Sequence, residues 1–119
     1  MTVFLLSSLM MACRKSNGPA VYDLGVDLQG AFNQDNVQVY IDDQALFNNK
    51  ASTDFSWGLA SSIGTTNTAG YHTIKVIVND NTIVTDQFKQ NSNLYIGIGY
   101  NKQLNKVSFI YSPKRFLYQ

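Results

Sequence analysis

Tyr71–Phe88 reads YHTIKVIVNDNTIVTDQF, and the fold class turns on it. His72, Ile74, Val76 and Val78 recur with period two and share one face, while Tyr71, Thr73, Lys75 and Ile77 take the other. The run is rich in β-branched side chains, which pack well on a pleated surface and crowd a helix. Asn79-Asp80-Asn81 follows, and Asn and Asp favour tight turns because their short polar side chains tolerate left-handed backbone. Thr82–Phe88 then returns as the hairpin partner.

The same alternation extends in both directions. Tyr22, Leu24, Val26 and Leu28 alternate with Asp23, Gly25, Asp27 and Gln29; Val37, Val39 and Ile41 alternate with Gln38, Tyr40 and Asp42. Asp42-Asp43 marks a turn into a short strand over Ala45–Phe47. Phe55, Trp57 and Leu59 predict a further strand, and GTTNTAG, residues 64–70, predicts a polar loop. LYIGIGY, residues 94–100, is another strand, and Val107, Phe109 and Tyr111 form a last apolar face that Pro113 ends. About eight short strands with turn signals every 8–12 residues are the pattern of a sandwich or barrel. No window holds a helical period that could supply βαβ crossovers, so the pairing is expected to be antiparallel throughout.

Composition agrees. The chain of 119 residues is one domain's worth, glutamate is absent, and Asn, Gln, Ser and Thr supply most of the polarity. A net charge of +1 with scattered basic residues argues against nucleic acid as a partner, since that needs basic groups massed on one face. The single cysteine excludes an intramolecular disulfide, so the aromatic-rich core must carry the fold alone.

That cysteine has another reading. Val3–Ala12, VFLLSSLMMA, is an apolar run too short to span a bilayer but suited to the core of a secretory signal. Leu9-Met10-Met11-Ala12-Cys13 resembles the lipobox of bacterial lipoproteins, in which a small residue precedes a cysteine that receives diacylglycerol and becomes the mature N-terminus. The resemblance covers residues 1–13 only. It departs from the family in lacking a basic residue before the apolar run and in the methionines at positions 10 and 11. It implies a signal peptide over residues 1–12, lipidation of Cys13, a membrane partner through that lipid and a place in the cell envelope. Residues 13–20 then form a tether, with Arg14-Lys15-Ser16-Asn17-Gly18-Pro19 of suitable polar, Gly/Pro-containing composition. The absence of an acidic residue after Cys13 points to the outer membrane, by analogy with lipoprotein sorting. Ala69–Val76, carrying Gly-x-His-x-Ile-x-Val, resembles a strand entry of exported Ig-like and transthyretin-like modules. That resemblance supports the antiparallel β-sandwich, expected over residues 21–112; Lys114-Arg115-Phe116-Leu117-Tyr118 follows Pro113, so residues 113–119 are expected as a tail or added edge strand.

Candidate chemistry is sparse. His72 is the only histidine and, with Cys13 given to lipid, has no fellow ligands for a metal site. Asp42-Asp43 sit on a turn, and Asp23 and Asp27 share a strand face with no evident partner, so no catalytic pair is expected. Asn33–Asn36 and Asn79–Asn81 lack the spacing of a calcium loop and read as turns. Gly58–Gly64 does not match a nucleophile elbow. Gly97 and Gly99 clear space on one strand face, into which an aromatic such as Trp57 could fit. The positive signal is aromatic. Tyr40, Tyr71 and Tyr95 lie opposite the apolar stripes, and with Trp57 they are the candidate ligand-binding residues. Rings beside amides suit sugars, and the same features suit protein interfaces. The expected function is thus a non-enzymatic envelope module, without cofactor or metal, that binds a protein partner or acts as a scaffold. Polysaccharide binding is the alternative.

Overall fold

The computed structural model describes residues 18–118. The lipobox-like segment, Cys13 and most of the expected tether lie outside the described residues. Among the described residues there are eight strands: β1 (Val21–Gly30), β2 (Asp35–Ile41), β3 (Gln44–Ala51), β4 (Ser61–Thr68), β5 (Gly70–Val78), β6 (Thr82–Gln90), β7 (Leu94–Asn101) and β8 (Lys106–Ser112). They form two four-stranded sheets, β4-β1-β7-β8 (sheet I) and β3-β2-β5-β6 (sheet II). The molecule is an all-β sandwich.

Period-two patterning puts the apolar stripes between the sheets. Leu24, Val26 and Leu28 of β1 and Ile96 and Ile98 of β7 are buried against Val37, Val39, Ile74, Val76 and Val78 of sheet II, with Phe32, Phe88 and Tyr100 filling the margins. Each such side chain contributes roughly 1.5–3 kcal/mol by leaving water.

Three local expectations are corrected. The first concerns pairing: β1 and β7 run parallel, with Leu24 beside Leu94 and Leu28 beside Ile98, while every other pair is antiparallel. A parallel neighbour normally needs a crossover within the layer. Here the chain makes its return through the opposite sheet, and β6 ends where β1 begins, with the Gln90 amide donating to the Asp23 carbonyl (2.9 Å). β7 therefore re-enters sheet I from the same end as β1. Secondly, Phe55–Leu59 is a loop tip, not a strand, whereas β4, residues 61–68, takes in most of the expected polar loop 64–70 and is paired along β1 from Val21–Thr68 to Leu28–Ser61. β4 is an edge strand that buries little, so its sequence carries almost no apolar signal. Thirdly, β3 extends to Ala51, well beyond Phe47.

The ends of the sandwich differ. At the entry end lie Val21, the Asp42-Asp43 turn, Ala69 and Asn91–Asn93. At the far end lie the segments 31–34, 52–60, 79–81 and 102–105. A strand such as β1 separates them by roughly 30 Å.

Candidate functional site

The outer face of sheet I is not bare. β1 presents Asp23, Gly25, Asp27 and Gln29 outward, β7 presents Tyr95 and Gly97, and residues 113–118 fold back across them. This tail does not join the sheet as an edge strand. Tyr118 donates its hydroxyl to Asp27 Oδ2 (2.6 Å) and accepts from the Gln29 amide (3.0 Å), while Ser62 donates to Asp27 Oδ1 (2.6 Å). Burial, the hydrogen bond to Asp27 and that residue's charge push the Tyr118 phenol up to about 12, so the latch stays protonated at ordinary pH. The Arg115 guanidinium lies 5.2 Å from the Tyr95 ring centre.

Glycines make room for this arrangement. A Cβ on Gly25 would come within 2.7 Å of the Tyr95 ring, and one on Gly97 within 2.7 Å of the Gln29 amide. The aromatic expected over Gly97 is therefore Tyr95 over Gly25, and Trp57 is elsewhere. Between tail, β1 and β4 remains a groove of about 490 Å³, with Asp23, Gly64, Thr66, Tyr95, Arg115 and Phe116 among its walls. Tyr95 is 9% exposed, so it is a wall of the groove and not the free ring that its alternation implied.

A second cavity, about 460 Å³, opens at the entry end between the β2–β3 turn and β4, and His72 borders it. His72 Nδ1 lies 2.5 Å from Asp42 Oδ2 and Nε2 lies 2.7 Å from the Thr68 carbonyl oxygen. Both partners are acceptors, so both contacts are hydrogen bonds only when the imidazole carries two protons. Burial opposes that charge. The hydrogen bonds to Asp42 and Thr68 and the Asp42 charge outweigh burial and raise the His72 pKa above its ordinary value. Asp42 moves the other way: burial would raise it, but the bonds from His72 and from the Thr73 amide hold it below the usual carboxylate range. In this state neither ring nitrogen has a lone pair free to accept a proton from a substrate.

Asp35, at the far end, is likewise occupied. Its carboxylate accepts from the Asn33 amide, the Asn79 side chain and Lys102, and binds the two Asn-rich segments to each other. Among the described residues no group of three or more His, Cys, Asp or Glu side chains is placed to hold a metal.

The four aromatic candidates do not converge. Tyr40 and Tyr71 share the outer face of sheet II, Tyr95 lies on sheet I, and Trp57 sits at the far end. There the Asp54–Leu59 loop is a tight tip: the Asp54 carbonyl accepts from Trp57 and Gly58, its carboxylate accepts from the Ser56 amide, and its own amide donates to the Leu59 carbonyl. Thr53 fixes the base of the loop to β1, donating to the Gln29 carbonyl and accepting from the Phe32 amide. The tip holds Phe55 and Trp57 at 77% and 55% exposure. Sequence reasoning missed Phe55 as a presented ring, and it missed the tail residues Arg115, Phe116 and Tyr118. The spacing of Asp23 and Asp27 on one face was a signal for a cover, but nothing local named Tyr118 as its source. No family model matches the chain, and comparison with curated proteins and with solved structures found no match.

Proposed function

We propose that this chain is a cell-envelope lipoprotein, carried on the outer membrane by a lipid at Cys13, whose sandwich is a non-enzymatic module that binds a protein partner. The observation that carries this reading is the Asp54–Leu59 tip. Two large rings stand in water on a loop whose backbone is already fixed, so little ordering entropy opposes docking. Trp is among the side chains that dominate protein interfaces. The tip also lies at the end away from Val21, so an N-terminal anchor leaves it facing outward from the membrane.

A photo-crosslinking residue at position 57, introduced in the native envelope, tests the reading. One discrete protein adduct is expected, lost when Phe55→Ala is added. No adduct, or an equal one from position 85 on sheet II, would sink it. Incorporation of a labelled fatty acid, abolished by Cys13→Ser, is the expected result for the anchor.

A second reading, carbohydrate binding, is favoured by one observation. Tyr40 and Tyr71 stand on the same outer face, among the amides and hydroxyls of Gln38, Asn48, Thr73 and Gln87. Retention by a polysaccharide gel, lost on Tyr71→Ala, is the result that separates it from the first.

A further inference from the structure

We infer that the outer face of sheet II is a docking surface for an acidic polysaccharide chain, a proposal that rests on the carbohydrate reading and narrows it to anionic polymers. Alternation and register fix what this face presents. β3 contributes Asn48 and Lys50, and β2 contributes Asn36, Gln38 and Tyr40. β5 contributes Tyr71, Thr73, Lys75 and Ile77, and β6 contributes Ile83, Thr85, Gln87 and Lys89. Every charge among these outward positions is a lysine. The aspartates lie on sheet I, in turns and loops, buried at the start of β2 in the case of Asp35, or, for Asp86, pointing towards Tyr111 of β8; the Asp80 carboxylate, in the turn after β5, accepts from the Gln38 amide at the rim of this face (3.4 Å).

The lysines are positioned without being neutralised. Lys75 Nζ lies 4.8 Å from the Tyr40 ring centre and Lys89 Nζ lies 5.5 Å from that of Tyr71. Among the described residues neither they nor Lys50 form a salt bridge. A ring restrains an ammonium group through its quadrupole and leaves the full positive charge for an external anion. A carboxylate partner would have cancelled it.

The spacing selects the class of anion. Tyr71 and Lys75 are four residues apart on β5, so the two Lys–Tyr stations are separated by roughly 14 Å. A single exposed charge contact is screened by water and salt and is too weak to retain a small anion. A polymer that meets several stations at once gains by effective concentration. Nucleic acid carries a charge every ~3.4 Å along each strand and calls for a denser basic surface. A polysaccharide with intermittent carboxylates matches the wide spacing, and its hydroxyls suit the intervening Thr73, Thr85 and Gln87. Stacking on the acidic face of a second copy is disfavoured because Asp27 there is already held by Ser62 and Tyr118 under the tail.

The test is affinity electrophoresis of the full chain through gels containing hyaluronate, in which only every second sugar carries a carboxylate, its methyl-esterified form or single-stranded DNA. Hyaluronate is expected to retard the chain, with retardation lost in half-molar salt. Lys75→Gln with Lys89→Gln should weaken it about fivefold or more, and the matching Arg pair should restore it. These side chains are on the surface, so unchanged thermal midpoints are the control for folding. Equal retention by the esterified polymer overturns the proposal but keeps the carbohydrate reading, and no retention by any gel overturns both. Equal retention by DNA, an unaffected double variant, or a low-salt dimer on sedimentation also overturns it.

Discussion

Because His72 is the chain's only histidine, the stability change it produces near neutrality can be isolated by one substitution. Its folded pKa is raised above the ordinary 6.5, so its contribution is fully present below about 6.5 and is lost as pH rises through the higher folded value. Asp42 has a lowered pKa, so its share is present above about 3.8 and is lost as pH falls through the folded value. The pair therefore stabilises most between these limits. The Tyr118 phenol titrates only near 12 and does not enter this window. Denaturant unfolding at pH 6 and pH 9 should show wild type weaker at pH 9. His72→Gln should be about 1–3 kcal/mol weaker than wild type at pH 6, with the gap shrinking at pH 9. Parallel losses in the two proteins would show that the imidazole is not the source. The sequence placed His72 at the edge of an apolar face. The acceptors at both nitrogens come from β4 and the β2–β3 turn, segments brought to it only by the fold.

At the level of strands and turns, the β2–β3 connection is a two-residue loop in which Asp42 and Asp43 both have positive φ, 50° and 68°. Such turns match the twist of a hairpin and favour Asn or Asp followed by Gly. Asp43→Gly relieves a left-handed non-glycine residue while keeping the Asp42 partner of His72. It should stabilise the fold by about 0.5–1 kcal/mol, against the entropic cost of glycine in the unfolded chain. A lowered midpoint would mean that the Asp43 side chain has a role of its own. Asp42-Asp43 was legible as a turn because its residue types carry the conformational preference themselves. Strands β1, β2, β5 and β8 were legible for a similar reason, as each buries one face, whereas β7, LYIGIGY, showed as a run of strand-forming residues and is buried on both. β4 was not, since SSIGTTNT has one large apolar residue and gains its structure from pairing with β1. Phe55, Trp57 and Leu59 misled in the opposite direction. Their alternation is real, but Asp54 closes a tip around them, and a period of two does not distinguish buried rings from presented ones.

Taken together, the described residues are two sheets and a tail, and the three parts differ in how firmly they are held. The sheets share an apolar core and polar ties such as Gln90, 1% exposed, which donates to the Asp23 and Ser92 carbonyls and accepts from Asn67. Residues 113–118 lack that core. Beyond the Ser112–Lys114 turn that starts them, their fixed points are the Tyr118 hydroxyl on Asp27 and Gln29 and the Arg115 guanidinium over Tyr95, so the tail should open at a lower free energy than the sandwich unfolds. The Lys114-Arg115 pair places tryptic sites inside this segment. When reclosing is fast, cleavage there reports the open population directly. Tyr118→Phe removes the hydroxyl but keeps the ring, costing about 0.5–1.5 kcal/mol, and should speed cleavage several-fold with little change in the global midpoint. Gly25→Ala should have the same effect from the other side of the tail, because its Cβ would meet the Tyr95 ring at 2.7 Å and displace the surface on which Arg115 rests. If both variants are cut at the wild-type rate while remaining folded, these contacts do not hold the tail. The groove beneath it would then be open most of the time.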